Sequence, residues 1–167
     1  MKAIQKKHET QVLALVDLAV KTLQYTYPPQ AIEHSERHAT VSIHDMILHL
    51  LQSCQATVAT LALTVIYLQR FQRAMRLNAF SLGDSTKSLV CPRRVFLAAL
   101  ITANKWHRDH GLRWNRHWEK RTGLTLLQIN RVEMAFLDAI QFEVFVGKDT
   151  YDAFSKRVEA DLLASRS

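Results

Sequence analysis

Apolar residues recur at helical spacing along most of the chain. Between residues 9 and 26, the side chains that would share one face of a helix are Val12, Leu15, Val16, Ala19, Val20 and Leu23. Pro28 and Pro29 follow, and proline stops a helix because it lacks an amide hydrogen and clashes with the preceding turn. The pattern predicts an N-terminal helix, which we expect to cover a core rather than to anchor the chain in a membrane.

Two helices are predicted after a break in this pattern. Residues 30–40 are polar and show no period, so we interpret them as a connector. Ser42 can cap a helix that continues to about residue 54, and a second helix is predicted over residues 56–77. Residues 78–91 are predicted to form a loop.

The next segment has apolar side chains on nearly every side. It begins at Pro92, because proline is tolerated in the first turn of a helix, and it continues to Trp106. A helix that is apolar all round is buried, so we expect this helix to lie at the centre of the fold with four others around it.

Three further helices complete the predicted all-α fold. Residues 114–122 form a short helix that Gly123 ends, and Thr125 can cap the following helix. The residues of that helix predicted to face inward are Leu127, Val132, Phe136 and Ile140. An amphipathic helix over residues 150–164 follows.

Composition agrees with a helical protein inside the cell. The 167 residues include only four glycines and three prolines, which favours helices over a sheet with many hairpins, and 48% of them are hydrophobic. The first residues are too polar for a signal peptide, and no apolar run is long enough to span a membrane. We expect a soluble protein of the cytoplasm, the nucleus or both, with Cys54 and Cys91 as reduced core residues.

One short stretch contains the letters of a protein-kinase catalytic loop, His107, Arg108 and Asp109. In that loop an asparagine five residues after the aspartate holds a magnesium ion, whereas here Asn115 lies six residues after it. The four glycines form no phosphate-binding loop. We therefore expect no catalytic residues and no enzymatic activity.

Pairs of histidines three to five residues apart could suggest a metal site. These pairs are His34 and His38, His44 and His49, and His107 and His110. No pair has a third ligand in a recognised pattern, so we expect neither a metal nor another cofactor.

Three sequence motifs are similar to the cyclin box. The first has Tyr67, Arg70 and Phe71, and the second has Ala103, Asn104, Lys105 and Trp106. The third resembles the fungal Pcl and PHO-type cyclins and comprises Trp118, Thr122, Gly123, Leu124, Ile129, Asn130, Glu133, Phe136 and Leu137. The resemblance covers residues 42–146. It implies a five-helix cyclin box, flanked by an N-terminal helix and linker (1–41) and a C-terminal helix (147–167).

The resemblance also implies a function and the residues that perform it. In cyclins, a lysine and a glutamate at the positions of Lys105 and Glu133 bond main-chain groups of a kinase. The same alignment assigns apolar kinase contacts to Trp106, Leu137, Phe142 and Val144. The chain is thus expected to bind and activate a cyclin-dependent kinase of the Pho type and to help direct its choice of substrates. An alternative is that Lys105 and Glu133 form only an intramolecular bridge and that some of the apolar residues belong to the core.

A second reading is a nucleic-acid-binding module. Basic and aromatic residues are mixed in one segment, as on surfaces that bind single strands. They are Lys105, Trp106, Arg108, Arg113, Trp114, Arg116, Trp118, Lys120 and Arg121. Transcription factor IIB has a similar fold, but it binds DNA through paired boxes and this chain has one. A kinase is therefore the favoured partner, rather than a nucleic acid or a membrane.

Overall fold

Two buried helices form the centre of the molecule. The structure, a computed structural model, describes residues 2–77, 84–107 and 114–164. Its described elements are eight α-helices and one short 3-10 helix: α1 (Lys2–Thr26), α2 (Pro29–Arg37), α3 (Ile43–Ser53), α4 (Val58–Arg76), the 3-10 helix (Asp84–Leu89), α5 (Pro92–His107), α6 (Arg116–Thr122), α7 (Leu126–Ala139) and α8 (Lys148–Ala164). No strand occurs in these ranges, so the predicted all-α fold is confirmed.

Helix α5 is buried as its composition predicts. All residues from 95 to 104 are buried, and the helix packs against α4 and α7. The middle of α4 is also buried, over residues 60–68, because α1 covers its other side. The N-terminal helix therefore contributes to the core, with Val16 and Ala19 completely buried.

Side-chain caps fix where several helices begin. Ser42 accepts a hydrogen bond from the Asp45 amide at 3.0 Å, which is the predicted cap of α3. Thr125 accepts one from the Gln128 amide at 3.2 Å, and the Gln128 side chain accepts one from the Thr125 amide at 2.9 Å. This reciprocal capping box fixes the start of α7 and hence the direction in which Glu133 projects.

The prediction that residues 30–40 form a connector is wrong. Pro29 begins helix α2, which ends at Arg37 and has no buried residue. The helix is held by contacts that are remote in sequence: Arg93 of α5 bonds Ser35 at 3.1 Å and Glu36 at 3.2 Å. Glu36 also accepts a hydrogen bond from the Ile43 amide.

Three smaller predictions also need correction. The predicted loop over residues 78–91 contains the 3-10 helix, whereas residues 78–83 lie outside the described ranges. Leu127 is exposed instead of facing the core, because it lies on the outer side of α7, away from the buried Val132 and Phe136. Cys54 is buried, but Cys91 is partly exposed.

Candidate functional site

The two charged residues predicted to act together lie in direct contact. Lys105 is in the last turn of α5, and Glu133 is on α7, which packs against α5. The ammonium nitrogen is 2.6 Å from Oε1 and 2.8 Å from Oε2 of the carboxylate. The side chains are 27% and 11% exposed, respectively. The pair therefore sits at the edge of the core, with its lysine end toward solvent.

Two asparagines extend the pair into a network. The side-chain amide nitrogen of Asn115 donates to Glu133 Oε2 at 2.6 Å and to Asn130 Oδ1 at 2.7 Å. Sequence reasoning did not assign either asparagine to the site. The signal for Asn130 was its place in the Ile-Asn motif, one helical turn before Glu133, whereas the position of Asn115 depends on the fold of the segment before α6.

Among the described residues, the network leaves bonding capacity for a partner. Lys105 has three ammonium hydrogens and uses two on Glu133, and Oε1 of Glu133 accepts only one of these bonds. A lysine hydrogen can therefore reach a main-chain carbonyl, and a carboxylate lone pair can accept from a main-chain amide. Both bonds are of the stronger, charge-assisted kind.

An open cleft of about 760 Å³ borders this network. Its lining includes Lys105, Asn115 and Asn130, together with Trp114, Arg116, His117 and Leu126. Trp114 is exposed at its rim. The polar network is thus accessible from one side of the molecule.

The four predicted apolar contacts divide into two kinds. Trp106 is 65% exposed and Phe142 is 54% exposed, so both can contact another protein. Leu137 and Val144 are partly buried and pack against the hydrophobic core. The sequence alternative, in which some of these residues belong to the core, thus describes Leu137 and Val144.

The segment after α7 is held to α4 by two side chains, Tyr67 and Arg70. The Tyr67 hydroxyl donates to the Val144 carbonyl at 2.6 Å. The Arg70 guanidinium donates to the carbonyls of Glu143 and Phe145, the latter at 2.9 Å. Three successive carbonyls are therefore bound by the aromatic and basic residues of one sequence motif, and we call Tyr67 and Arg70 the carbonyl clamp.

The clamped carbonyls directly follow a turn with a strained backbone. Gln141 and Phe142 both have a φ of 55°, in the left-handed region that residues with a Cβ disfavour. Such strained turns persist only where surrounding contacts hold them.

Burial raises the pKa of the Tyr67 hydroxyl to about 12, although the charge of Arg70 acts in the opposite direction.

Phe145 is an exposed aromatic residue that the sequence reasoning missed. Its side chain is 83% exposed, and its carbonyl is bound by Arg70. The segment beyond the end of α7 has no regular apolar period. Its sequence therefore does not show which of Phe142, Val144 and Phe145 face solvent. With Phe142, Phe145 supplies two exposed aromatic rings on one short segment.

The basic and aromatic segment does not form a continuous stacking surface. Trp118 is completely buried, so its ring cannot stack on a base. Arg121 donates to the carbonyls of Ser53 and His117, at 3.3 and 2.5 Å. Arg108 and Arg113, which the nucleic-acid reading also uses, lie outside the part of the chain that the structure describes.

The described residues contain neither a cluster of metal ligands nor a helix that could span a membrane. The rings of His34 and His38 lie 4.5 Å apart, but within residues 2–77, 84–107 and 114–164 no three potential ligands gather to hold a metal ion. His110 and Asp109 are not among these residues. No described helix is both long and apolar enough to cross a bilayer.

Comparisons with known proteins agree with the motifs. A sequence model of the family described as Cyclin matches residues 3–144, a range that includes α1 and α2. The G1/S-specific cyclin pas1 of Schizosaccharomyces pombe is 27% identical over 155 residues, which cover 93% of this chain and 34% of that protein. The PHO85 cyclin-1 of Saccharomyces cerevisiae is 29% identical over 127 residues, which cover 74% of this chain and 43% of that protein. No solved structure matches the chain significantly.

The chain spans less than half the length of each of these two relatives. Even so, the family model covers most of the chain, and the helical fold agrees with it. The predicted resemblance to PHO-type cyclins is confirmed by these matches. The chain belongs to the cyclin family, whose members are regulatory subunits of protein kinases rather than enzymes.

Proposed function

We propose that the chain binds and activates a cyclin-dependent kinase of the Pho type and helps to direct its choice of substrates. The observation that carries the proposal is the Lys105–Glu133 pair. The two side chains are in direct contact, are partly exposed and border an open cleft. The similarity to a protein named PHO85 cyclin-1 supports the Pho type of kinase.

The proposed contact surface has a polar centre and aromatic margins. Lys105 and Glu133 offer a donor and an acceptor to the main chain of a kinase helix, where unpaired carbonyls and amides occur at the ends. Trp106 and Phe142 are exposed and supply apolar area, since aromatic residues are enriched at protein interfaces. Phe145 extends this area beyond the contacts predicted from the sequence.

Activation follows from selective binding. A protein kinase is active when a glutamate on its C-helix pairs with a lysine on its third strand. If the chain binds only the arrangement with this pair formed, it shifts the population toward that arrangement. A shift from 1:99 to 99:1 requires roughly 5.5 kcal/mol of differential binding. The closely packed α4–α5–α7 core suits this role, because a dense core favours a single arrangement of the surface that it supports.

A reconstituted kinase assay tests the proposal. The purified chain is added to a Pho-type kinase and, separately, to a cell-cycle cyclin-dependent kinase, and phosphate transfer to a generic peptide is measured. We expect stimulation of the Pho-type kinase and little or none of the other. Equal stimulation of both would contradict the Pho type, and stimulation of neither would contradict the activator function.

A further inference from the structure

A second cleft lies between the 3-10 helix, the start of α5 and one side of α7. Its volume is about 700 Å³. The residues that line it and bear on its chemistry are Lys87, Arg94, Gln128, Arg131, Met134 and Ala135. The buried Ala135 forms part of its floor, and no acidic side chain is among its described lining residues.

Two arginines in this cleft lack a partner among the described residues. Within the described parts of the chain, neither Arg94 nor Arg131 makes a side-chain hydrogen bond or a salt bridge. Arg94 is partly buried, and its neighbour Arg93 is fully engaged with Ser35, Glu36 and the Val41 carbonyl. The Arg94 guanidinium, which loses part of its hydration without gaining an acceptor among the described residues, is stabilised when an anion binds, and the exposed Arg131 adds a second positive charge.

The cleft faces away from the Lys105–Glu133 network. Successive residues of a helix are about 100° apart, so Arg131 and Ala135 lie on the side of α7 roughly opposite Glu133 and Leu137. A ligand in the cleft would therefore not cover the proposed kinase-binding surface. Binding at the two places can be measured separately.

Apolar residues continue the basic surface along α7. Leu127, Arg131 and Met134 are spaced by four and three residues, so they form one ridge, and the side chains of Leu127 and Met134 are exposed. A free anion would contact only the charged side chains of the cleft. A peptide would contact both the charged side chains and the apolar side chains of the ridge.

We propose that this cleft binds a phosphorylated segment of a partner protein, with a phosphoserine or phosphothreonine at Arg94 and Arg131 and an aliphatic residue against Leu127 and Met134. A phosphate carries close to two negative charges and three acceptor oxygens, which match two planar guanidinium groups better than one carboxylate does. Arg94 also borders a neighbouring cleft.

Titration followed by NMR tests the proposal on the complete chain. The isotope-labelled protein is titrated at physiological salt with a short peptide of alanine and leucine that contains one central phosphothreonine. The same peptide without phosphate, the same peptide with glutamate in place of phosphothreonine, and inorganic phosphate are titrated in parallel. We expect saturable shifts at the amides of Arg94, Gln128 and Arg131, with affinity at least about tenfold higher than for any of the other probes.

Charge-neutralising variants provide the specificity control. Arg131→Gln should weaken phosphopeptide binding by about tenfold. Lys120→Gln, which removes one exposed charge from α6, should leave it unchanged, and both variants should keep the wild-type circular dichroism and melting curve. Equal affinity of the two variants, equal affinity of inorganic phosphate and phosphopeptide, or shifts that avoid the cleft would each overturn the proposal. Kinase binding by Arg131→Gln is expected to be normal, so the two proposals can fail independently.

Discussion

At the residue scale, Lys105 and Glu133 differ from an ordinary surface ion pair by their setting. The carboxylate accepts from two side chains, Lys105 and Asn115, and only a small part of it meets solvent. The lysine is more exposed and retains a hydrogen to donate. The network is therefore preorganised without being saturated, as expected for groups that bond a partner's main chain.

We predict that this pair contributes little to folding. Lys105→Met and Glu133→Gln keep the side-chain lengths but remove one charge each, and the coupling between them should be about 1 kcal/mol, because solvent screens the ammonium group at the more exposed end of the pair. Urea unfolding of the wild type, both single variants and the double variant measures this coupling. A coupling above about 3 kcal/mol, as found for buried pairs, would make the pair a structural element of the core.

Sequence motifs could place the charged pair but not its surroundings. Lys105 and Glu133 were found because each stands in a recognisable cyclin motif, 28 residues apart. The contact with Asn115 depends on a segment without periodicity, and the exposure of Phe145 depends on hydrogen bonds to Arg70, a residue 75 positions away. Local patterns contain no information about such long-range contacts.

At the element scale, the carbonyl clamp of Tyr67 and Arg70 explains how an irregular segment can present aromatic side chains. Arg70 binds carbonyls on both sides of the one bound by Tyr67. The aromatic-Arg-Phe motif of α4 thus acts at a distance, by orienting the chain beyond α7.

We predict that Arg70→Met releases the clamped segment while the core stays folded. Hydrogen exchange should become faster at the amides of residues 144–146 and remain slow within α5, because only the carbonyl bonds are lost. Arg73→Met, on the same helix and without a described side-chain partner, is the matched control. If both variants exchange alike, Arg70 does not order the segment.

The end of α6 supplies a second element-scale prediction. Gly123 has a φ of 70°, and a Cβ there would meet no atom within 4 Å, so Gly123→Ala should cost about 1 kcal/mol through backbone conformation alone. Gly147→Ala, where φ is not positive and the added Cβ would make an ordinary 3.6 Å contact, is the comparison. Chemical denaturation of both variants measures the difference. An equal effect would mean that the left-handed conformation of Gly123 is not required.

Elements differ in how well their sequence predicts them. Helices α5 and α7 were predicted because apolar pattern, capping residues and length agree. Helix α2 was missed because it buries no residue completely and is held by Arg93. The placement of Leu127 was wrong because a single apolar residue at the start of a helix can lie on either side without changing the period.

At the scale of the whole molecule, buried tyrosines link stability to high pH. Burial raises the pKa of Tyr67 from 10.0 to about 12, and it raises the pKa of Tyr27 as well. The folded state therefore holds these protons more tightly than the unfolded state does. Their contribution to stability is complete below pH 10 and declines as the pH rises toward the folded-state pKa.

We predict that the free energy of unfolding falls between pH 10 and pH 12 and that Tyr67→Phe makes this fall shallower. The variant cannot ionise at position 67, but it loses the bond to the Val144 carbonyl, so it should be less stable at neutral pH. Urea titrations at several pH values measure both effects. An unchanged slope in Tyr67→Phe would show that this hydroxyl does not titrate in the expected range.

The whole fold was predictable to the level of an all-α box with a buried central helix. The burial of α4 was not, because it requires α1 on one side in addition to α5 on the other, and the N-terminal helix could have packed elsewhere. The division into an N-terminal helix and linker (1–41), a box (42–146) and a C-terminal helix (147–167) stays a prediction, and the family model covers residues 3–144.

The central claim is that the Lys105–Glu133 surface binds a kinase, and a direct affinity measurement tests it. Isothermal calorimetry compares the wild-type chain, the Lys105→Ala/Glu133→Ala variant and the Glu36→Ala/Arg93→Ala variant, which removes an interhelical salt bridge near the other end of α5. Circular dichroism first checks that all three are folded. We predict that the first double variant binds a Pho-type kinase about 100-fold more weakly and that the second binds like the wild type. Equal affinity of all three chains would contradict the account.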